Sequence, residues 1–283
     1  MEQSKIAEIN SKLDNLTTRS ADVFDIDGTV FKGRLLLNLV EGVCESMGPK
    51  KPERQAVRSS FELWRYGKLT TQQLFSQVVD MVDCGFFVGL PKSEVEIIAS
   101  RAADKCIGLR NLFAFELIQC LRKRPTKDRR LIIAITGSPE EIVLPYCKHM
   151  GFDVVISSYY HTDIEGNYIF ERNLEAAFKK AAIMDTLQKD CGISWKGAIG
   201  AGDTGADIGA LDFVEYPIAV NPDTKLLEHV RKNNQSIAVV YDSPKKGVQL
   251  FKSDKEGRLH EACLEKVLPL DIAEKFPKLP GMI

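Results

Sequence analysis

The chain has 283 residues, enough for about two domains, with 38 basic residues, 39 acidic residues and a net charge of −1. Because the charge is balanced and the basic residues are scattered, the sequence argues against nucleic acid or an anionic membrane as the main partner. Seven cysteines without a Cys-x-x-Cys pair indicate buried free thiols in a reducing compartment, and four scattered histidines give no zinc-binding spacing.

The first nineteen residues are polar and amphipathic, with one apolar face formed by Ile6, Ile9, Leu13 and Leu16. This pattern is typical neither of a signal peptide nor of a membrane-spanning helix. A cytoplasmic protein is therefore predicted.

The stretch from Asp22 to Thr29 organises the rest of the sequence. It predicts a short buried strand that ends in two carboxylates, Asp25 and Asp27, followed by Gly28, which allows the backbone to turn close to a ligand. If the strand stays extended, alternation places both carboxylates on one face. Their mutual repulsion favours a bound cation, although a plain strand end with turn-forming residues would show the same letters.

A helical region interrupts the strands after Thr29. Apolar residues recur at helical spacing directly after this point, which predicts a helix. Thr70 with Gln73, and Ser93 with Glu96, form capping-box patterns that predict the starts of two further helices. We therefore predict an all-helical cap domain at residues 32–106.

Strands and helices alternate after the cap. Strands are predicted at residues 131–136, 153–156, 197–201 and 216–220, with a hairpin at 159–170. Ser138 is the predicted N-cap of the helix after the first of these strands, with Pro139 as its first residue. The pattern predicts an α/β fold with a Rossmann-like, doubly wound parallel sheet. Its core would comprise residues 1–31 and 107–241, and residues 242–283 form a C-terminal extension without an assigned role.

Polar groups at several strand ends are expected to meet, because ligands bind at the carboxyl edge of an open parallel sheet. The candidates are Asp25, Asp27, Thr136, Gly137, Ser138, Asp203 and Asp207, with Lys180 arriving from a helix whose apolar face it shares. Three of them also have a simpler interpretation: a strand-end hydroxyl for Thr136, a solvated charge for Lys180 and a helix cap for Asp207. Residues 200–205 also match the dinucleotide fingerprint G-x-G-x-x-G, but Asp203 would then face a pyrophosphate.

These motifs, in this order, resemble the haloacid dehalogenase-like hydrolase superfamily over roughly residues 21–235, and within it the phosphoserine phosphatase-like branch with a helical cap. The resemblance rests on Asp-Ile-Asp-Gly-Thr at 25–29 and Gly-Asp-Thr-Gly-Ala-Asp at 202–207. It implies a phosphatase in which Asp25 is the nucleophile and Asp27 the general acid and base. It also implies Mg²⁺ held by Asp25, Asp203 and the backbone carbonyl of Asp27, with Asp207 at or behind the metal. The phosphoryl oxygens would be bound by Thr136, Gly137 and Lys180.

One departure from that branch concerns substrate specificity. Phosphoserine phosphatases carry a Glu nine positions after the nucleophile, where this chain has Arg34. Lys32 and Arg34 together suggest a small phosphorylated metabolite whose leaving group carries its own negative charge, unless both side chains simply face solvent at the cap hinge. A phosphotransferase using the same aspartyl-phosphate, or a non-catalytic binding protein on this fold, are the alternative functions. The sequence leaves the substrate and the oligomeric state open.

Overall fold

A nine-stranded sheet forms the centre of the fold in the computed structural model, which describes residues 1–48, 51–232 and 236–282. The strands are β1 (Ala21–Phe24), β2 (Leu131–Pro139), β3 (Val154–Thr162), β4 (Tyr168–Asn173), β5 (Ile199–Gly202), β6 (Tyr216–Val220), β7 (Ala238–Ser243), β8 (Gly247–Ser253) and β9 (Leu259–Glu261). Their spatial order is β4-β3-β2-β1-β5-β6-β7-β8-β9.

The central part of this sheet is parallel. β1 pairs with β2 on one side and β5 on the other, and β3, β6 and β7 continue the parallel arrangement outwards. The chain therefore leaves β1 in one direction and later returns to the opposite side, which creates the crevice where ligands bind in such sheets. The predicted α/β, Rossmann-like fold class is confirmed.

Helices flank the sheet and also separate its first two strands. They are α1 (Gln3–Leu13), α2 (Leu35–Met47), α3 (Pro52–Arg65), α4 (Thr71–Asp83), α5 (Lys92–Cys106), α6 (Leu112–Arg122), α7 (Glu140–Met150), α8 (Glu175–Phe178), α9 (Lys180–Cys191), α10 (Ile208–Leu211), α11 (Thr224–Lys232), α12 (Leu264–Val267) and α13 (Leu270–Ala273). The helices α2 to α5 lie in the predicted cap, whose bounds as a domain stay a prediction. Among the residues described, no helix is both long and apolar enough to cross a membrane.

One of the three predicted caps is present, and two are wrong. The Thr70 hydroxyl accepts from the Gln73 amide, and the Gln73 side chain accepts from the Thr70 amide, which starts α4. Ser93 does not cap α5, because the helix already begins at Lys92, whose amide donates to the carbonyl of Gly166. Ser138 does not cap α7 either: β2 runs through Pro139, and the Ser138 hydroxyl donates to Asp27 instead.

The predicted third strand and hairpin form one continuous unit. β3 extends from Val154 to Thr162 and pairs antiparallel with β4. The turn between them places Gly166 at φ +81°, as the predicted turn residues require.

The C-terminal extension completes the sheet. β8 and β9 add two antiparallel strands beyond β7, and the residues that follow pack onto α6, where the rings of Phe113 and Phe276 lie 5.2 Å apart. The carboxylate of Asp242, at the end of β7, accepts from the amide of Phe113 at 2.9 Å. Residues 242–283 therefore extend the sheet and pack against α6.

Candidate active site

The turn after β1 brings two distant acidic segments together. β1 ends at Phe24, and the amide of Asp25 still donates to the carbonyl of Ala201 on β5 at 2.9 Å. Gly28 has φ +88°, and a Cβ atom there would lie only 1.9 Å from Oδ2 of Asp203. A glycine is therefore needed for the backbone angle and for the close approach of the Asp203 carboxylate.

Three carboxylates form the centre of the site. Oxygen atoms of Asp25, Asp203 and Asp207 all lie within 4.8 Å of one another. The ammonium of Lys180 donates to Oδ1 of Asp25 and to Oδ1 of Asp207, at 2.6 Å in both cases. Lys180 is buried on the same face of α9 as its apolar neighbours, as the helical spacing predicts. The structure thus brings together four residues that the sequence placed on three separate segments: the end of β1, the loop after β5 and the helix α9.

Asp27 lies beside this group with different partners. Its carboxylate accepts from the amide of Leu35 at 2.8 Å and from the hydroxyl of Ser138. Because β1 ends before Asp25, strand alternation does not place the two carboxylates on one face; each is instead oriented by its own hydrogen bonds. The sequence predicts Ser138 as a helix cap and, from its position after a strand end, as a candidate for the site. Its hydrogen bond to Asp27 agrees with the second prediction.

The two side-chain oxygens of Asp207 accept hydrogen bonds from different groups. Oδ2 accepts from the backbone amides of Asp203 and Thr204, at 3.0 and 2.8 Å, while Oδ1 accepts from Lys180. Asp207 therefore holds both the loop that carries Asp203 and the ammonium that faces Asp25.

Burial governs the acid-base properties of these groups. It raises the pKa of Asp25 to about 7, against the lowering effect of Lys180, and raises the pKa of Asp203 to about 9 with a further contribution from the charge of Asp25. Burial also raises the pKa of Asp27, although Ser138 and the Leu35 amide oppose the shift. For Lys180, burial would lower the pKa, but Asp207 and Asp25 together raise it.

The electrostatic balance fits a divalent cation. Four carboxylates, those of Asp25, Asp27, Asp203 and Asp207, meet two cationic groups, the ammonium of Lys180 and the guanidinium of Arg34. Two negative charges remain in excess when all four carboxylates are ionised. For Asp203, the like charges of Asp25 and Asp207 add to the burial that raises its pKa. The side chains offer only hard oxygen donors, which suit Mg²⁺ better than zinc. The acidic cluster could therefore hold such an ion.

A cavity of about 360 Å³ opens above the acidic cluster. Thr136 and Gly137, at the end of β2, line it beside Asp25 and Lys180, so the predicted phosphate-binding residues face the predicted nucleophile. Such a volume is ordinary for a small-molecule site.

The two basic residues proposed for specificity have separate positions. Arg34 lines the cavity, donates to the carbonyl of Asp27 at 3.2 Å and lies 4.0 Å from Oδ2 of Asp203. Lys32 does not line it; its ammonium pairs with Asp242 at 3.2 Å.

A second cavity, of about 400 Å³, lies between α1, α7 and β3. Charged groups at its wall are paired, as in Lys92 with Glu140 and the N-terminal amine with Glu175. It contains none of the acidic cluster, so the chemistry of the residues, and not the volume, identifies the site.

The family follows from a direct comparison with known protein families. The model of the haloacid dehalogenase-like hydrolases matches residues 23–212, about two thirds of the chain. The chain belongs to this family. Within this hydrolase, the matched region begins in β1 and ends just after α10, so it includes Asp25 and the loop of Asp203.

Solved structures share the fold of this hydrolase. A protein of unknown function from Bordetella pertussis Tohama I has a TM-score of 0.57 and 16% identity, over 78% of this chain and 98% of that one. A phosphoserine phosphatase in its apo form has a TM-score of 0.50 and 17% identity, over 75% of this chain and 90% of that one. A phospho-aspartyl intermediate analogue of phosphoserine phosphatase has a TM-score of 0.50 and 18% identity, with the same coverage of both chains. Among curated protein sequences, none matches this chain. The predicted family is thereby confirmed, while the likeness to phosphoserine phosphatases is one of fold.

Proposed function

We propose that this hydrolase is a Mg²⁺-dependent phosphatase that cleaves a small-molecule phosphomonoester through an aspartyl-phosphate on Asp25. The observation that carries the proposal is the convergence of Asp25, Asp203 and Asp207 within 4.8 Å, with Lys180 between two of them, at the base of a cavity. A phosphoserine phosphatase, for which the phospho-aspartyl intermediate analogue is known, shares the fold.

Electrostatics explains why this grouping suits phosphoryl transfer. An ionised Asp25 that approaches a phosphate dianion to ~3.5 Å is repelled by roughly 9 kcal/mol at an effective dielectric constant of 20. Bound Mg²⁺, held by Asp25, Asp203 and the backbone carbonyl of Asp27, would supply positive charge to both the nucleophile and the phosphoryl group. Asp207 would hold Lys180 and the Asp203 loop in place, as its hydrogen bonds indicate.

The residues of the chain would perform two steps. A carboxylate oxygen of Asp25 attacks phosphorus, and the ester P–O bond breaks with its electron pair on the leaving oxygen, which takes a proton from Asp27. A water molecule then attacks the phosphorus of the aspartyl-phosphate and gives a proton to Asp27, which frees Asp25 and inorganic phosphate. Thr136, Gly137 and Lys180 would bind the phosphoryl oxygens during both steps.

The conformation of Asp27 supports its role in proton transfer. The carboxyl is buried, and its two oxygens are fixed by Leu35 and Ser138. Burial raises its pKa, so a proton is held more readily than on an exposed aspartate.

Purified protein should be assayed against a panel of phosphomonoesters, with Mg²⁺ and with a chelator. Release of phosphate only with metal is expected, and it should be lost in Asp25→Asn. Asp185→Asn is a matched control, because the half-exposed side chain of Asp185 pairs with Lys189 on α9, outside the cavity. Transfer of the phosphoryl group to added alcohols, instead of to water, would identify a phosphotransferase. If the folded protein hydrolyses no ester with metal present, the alternative of a non-catalytic binding protein on this fold would be favoured.

We also propose that the protein is cytoplasmic, supported by its cysteines. All seven are free thiols, which is typical of a reducing compartment.

A further inference from the structure

We infer that the natural substrate is a phosphomonoester whose leaving group is uncharged and apolar, such as an alkyl chain or an aromatic ring. This inference rests on the proposed function, and it names the substrate class of that site. It concerns the part of the cavity beyond the phosphoryl group.

The walls of the cavity away from the acidic cluster are mainly apolar, apart from Tyr160 and the Asp83–Arg172 ion pair. On the cap side they are formed by Leu36, Phe75, Val79 and Val82. On the opposite side, Leu174 and Phe178 contribute, and the ring of Phe178 is 79% exposed although it is large and apolar. Because this surface is continuous with Asp25 and Lys180, a phosphoryl group at the acidic cluster would direct its leaving group along it.

The cationic groups of the cavity already have negative partners. Arg172 pairs with Asp83 at 2.5 Å, and both line the cavity, so together they add no net charge. Arg34 donates to the Asp27 carbonyl, lies 4.0 Å from Asp203 and has its guanidinium 5.4 Å from the centre of the Phe75 ring.

An anionic leaving group would therefore have to compete for these cations. The sequence-based hypothesis of such a leaving group rests on Lys32 and Arg34, but Lys32 lies outside the cavity and pairs with Asp242. An apolar group gains instead from leaving water, by about fourfold in affinity for each buried methylene group.

The test compares ligands that differ only in chain length. Binding of ethylphosphonate and hexylphosphonate to the wild-type protein with Mg²⁺ is measured by calorimetry, alongside kcat/KM for ethyl and hexyl phosphate. The leaving alcohols have similar acidity, so intrinsic reactivity does not separate them. Fourfold for each of the four additional methylenes gives about 250-fold if all of them leave water. Because part of the chain stays hydrated in an open cavity, we expect the hexyl compounds to be favoured by about 10-fold or more in both measurements.

A third ligand, 6-phosphonohexanoate, tests the anionic alternative. Its chain is similar in length but ends in a carboxylate. We expect it to bind more weakly than hexylphosphonate. Equal or tighter binding of the carboxylate would overturn the inference.

A cap variant tests whether the named wall is responsible. Val79 is half-buried on α4 and lines the cavity, so Val79→Thr introduces a hydroxyl with little change of shape. We expect it to reduce the preference for hexylphosphonate over ethylphosphonate about threefold or more. Ile97→Thr is the matched control, because Ile97 is 55% exposed on the cap helix α5 and lies outside the cavity. It should keep the wild-type preference.

Failure of the substrate inference can be distinguished from failure of the phosphatase proposal. Equal hydrolysis of ethyl and hexyl phosphate, with equal binding of the two phosphonates, would overturn the inference and leave the phosphatase proposal intact. Lack of turnover on every phosphomonoester would overturn the phosphatase proposal itself.

Discussion

Replacement of Gly28 by alanine should inactivate the protein far more than it destabilises it. Gly28 has φ +88°, a conformation that costs an alanine about 1–2 kcal/mol. The added methyl group has a second effect, because it would lie 1.9 Å from Oδ2 of Asp203.

The size of the loss of activity follows from that distance. Real Cβ atoms essentially never approach another atom to less than 3.0 Å, so the Asp203 carboxylate or the turn must move by about 1 Å. A displacement of that size at a reacting group costs about 100-fold in rate. We therefore expect kcat/KM to fall about 100-fold in Gly28→Ala.

Gly166→Ala provides the matched control. Gly166 has a similar φ of +81°, but an added Cβ would meet nothing within 4 Å. Urea unfolding should show a similar loss of stability from the backbone angle in both variants, while phosphatase assays with Mg²⁺ should show a large loss only in Gly28→Ala. If Gly28→Ala keeps activity within a few-fold of Gly166→Ala, the close packing of Asp203 on this turn is not needed for the reaction.

Three further variants test other contacts. Burial raises the pKa of Glu141, and the hydrogen bond that the Tyr168 hydroxyl donates to it only partly opposes this shift. The ionised carboxylate is therefore less stable in the folded protein than in the unfolded chain, so the free energy of unfolding falls as pH rises through the folded pKa. Glu141→Gln should match the wild type in urea unfolding near pH 4 and become the more stable protein near pH 8, by about 1.4 kcal/mol for each unit of the shift. Ser138→Ala removes one of the two hydrogen bonds to the buried Asp27 carboxylate, a contact worth about 1.5–3 kcal/mol, and should lower kcat about 10- to 100-fold in the same phosphatase assay. Asp242→Ala leaves a buried backbone amide without its acceptor and should lower the free energy of unfolding by about 1–3 kcal/mol, measured in urea.

Each of these expectations has a clear contrary result. A constant stability difference between Glu141→Gln and the wild type across that pH range would mean that Glu141 has an ordinary pKa. Ser59→Ala, which alters an exposed helical serine, is the control for Ser138→Ala, and equal kcat values would remove the role assigned to Ser138. If Asp242→Ala unfolds at the same urea concentration as Asp185→Ala, the contacts of Asp242 with the Phe113 amide and with Lys32 do not stabilise the folded chain.

The sequence by itself determined which elements carry the site. Apolar periodicity predicts the strands, and the carboxyl ends of parallel strands must meet at one edge. For that reason Asp25, Thr136 and Asp203 could be assigned to one site although they are far apart in the chain. The face of α9 that carries Lys180 followed from helical spacing in the same way.

Only the tertiary structure decided which partner each polar side chain takes. Ser138 contacts Asp27 across 111 positions of sequence, and Lys32 contacts Asp242 across 210. The role of the C-terminal extension also depends on such contacts. Periodicity and capping patterns report interactions within a few residues, whereas a hydroxyl or an ammonium bonds to whatever acceptor the folded chain places within about 3 Å of it. Local sequence therefore predicts the position of such a group, and the fold selects its partner.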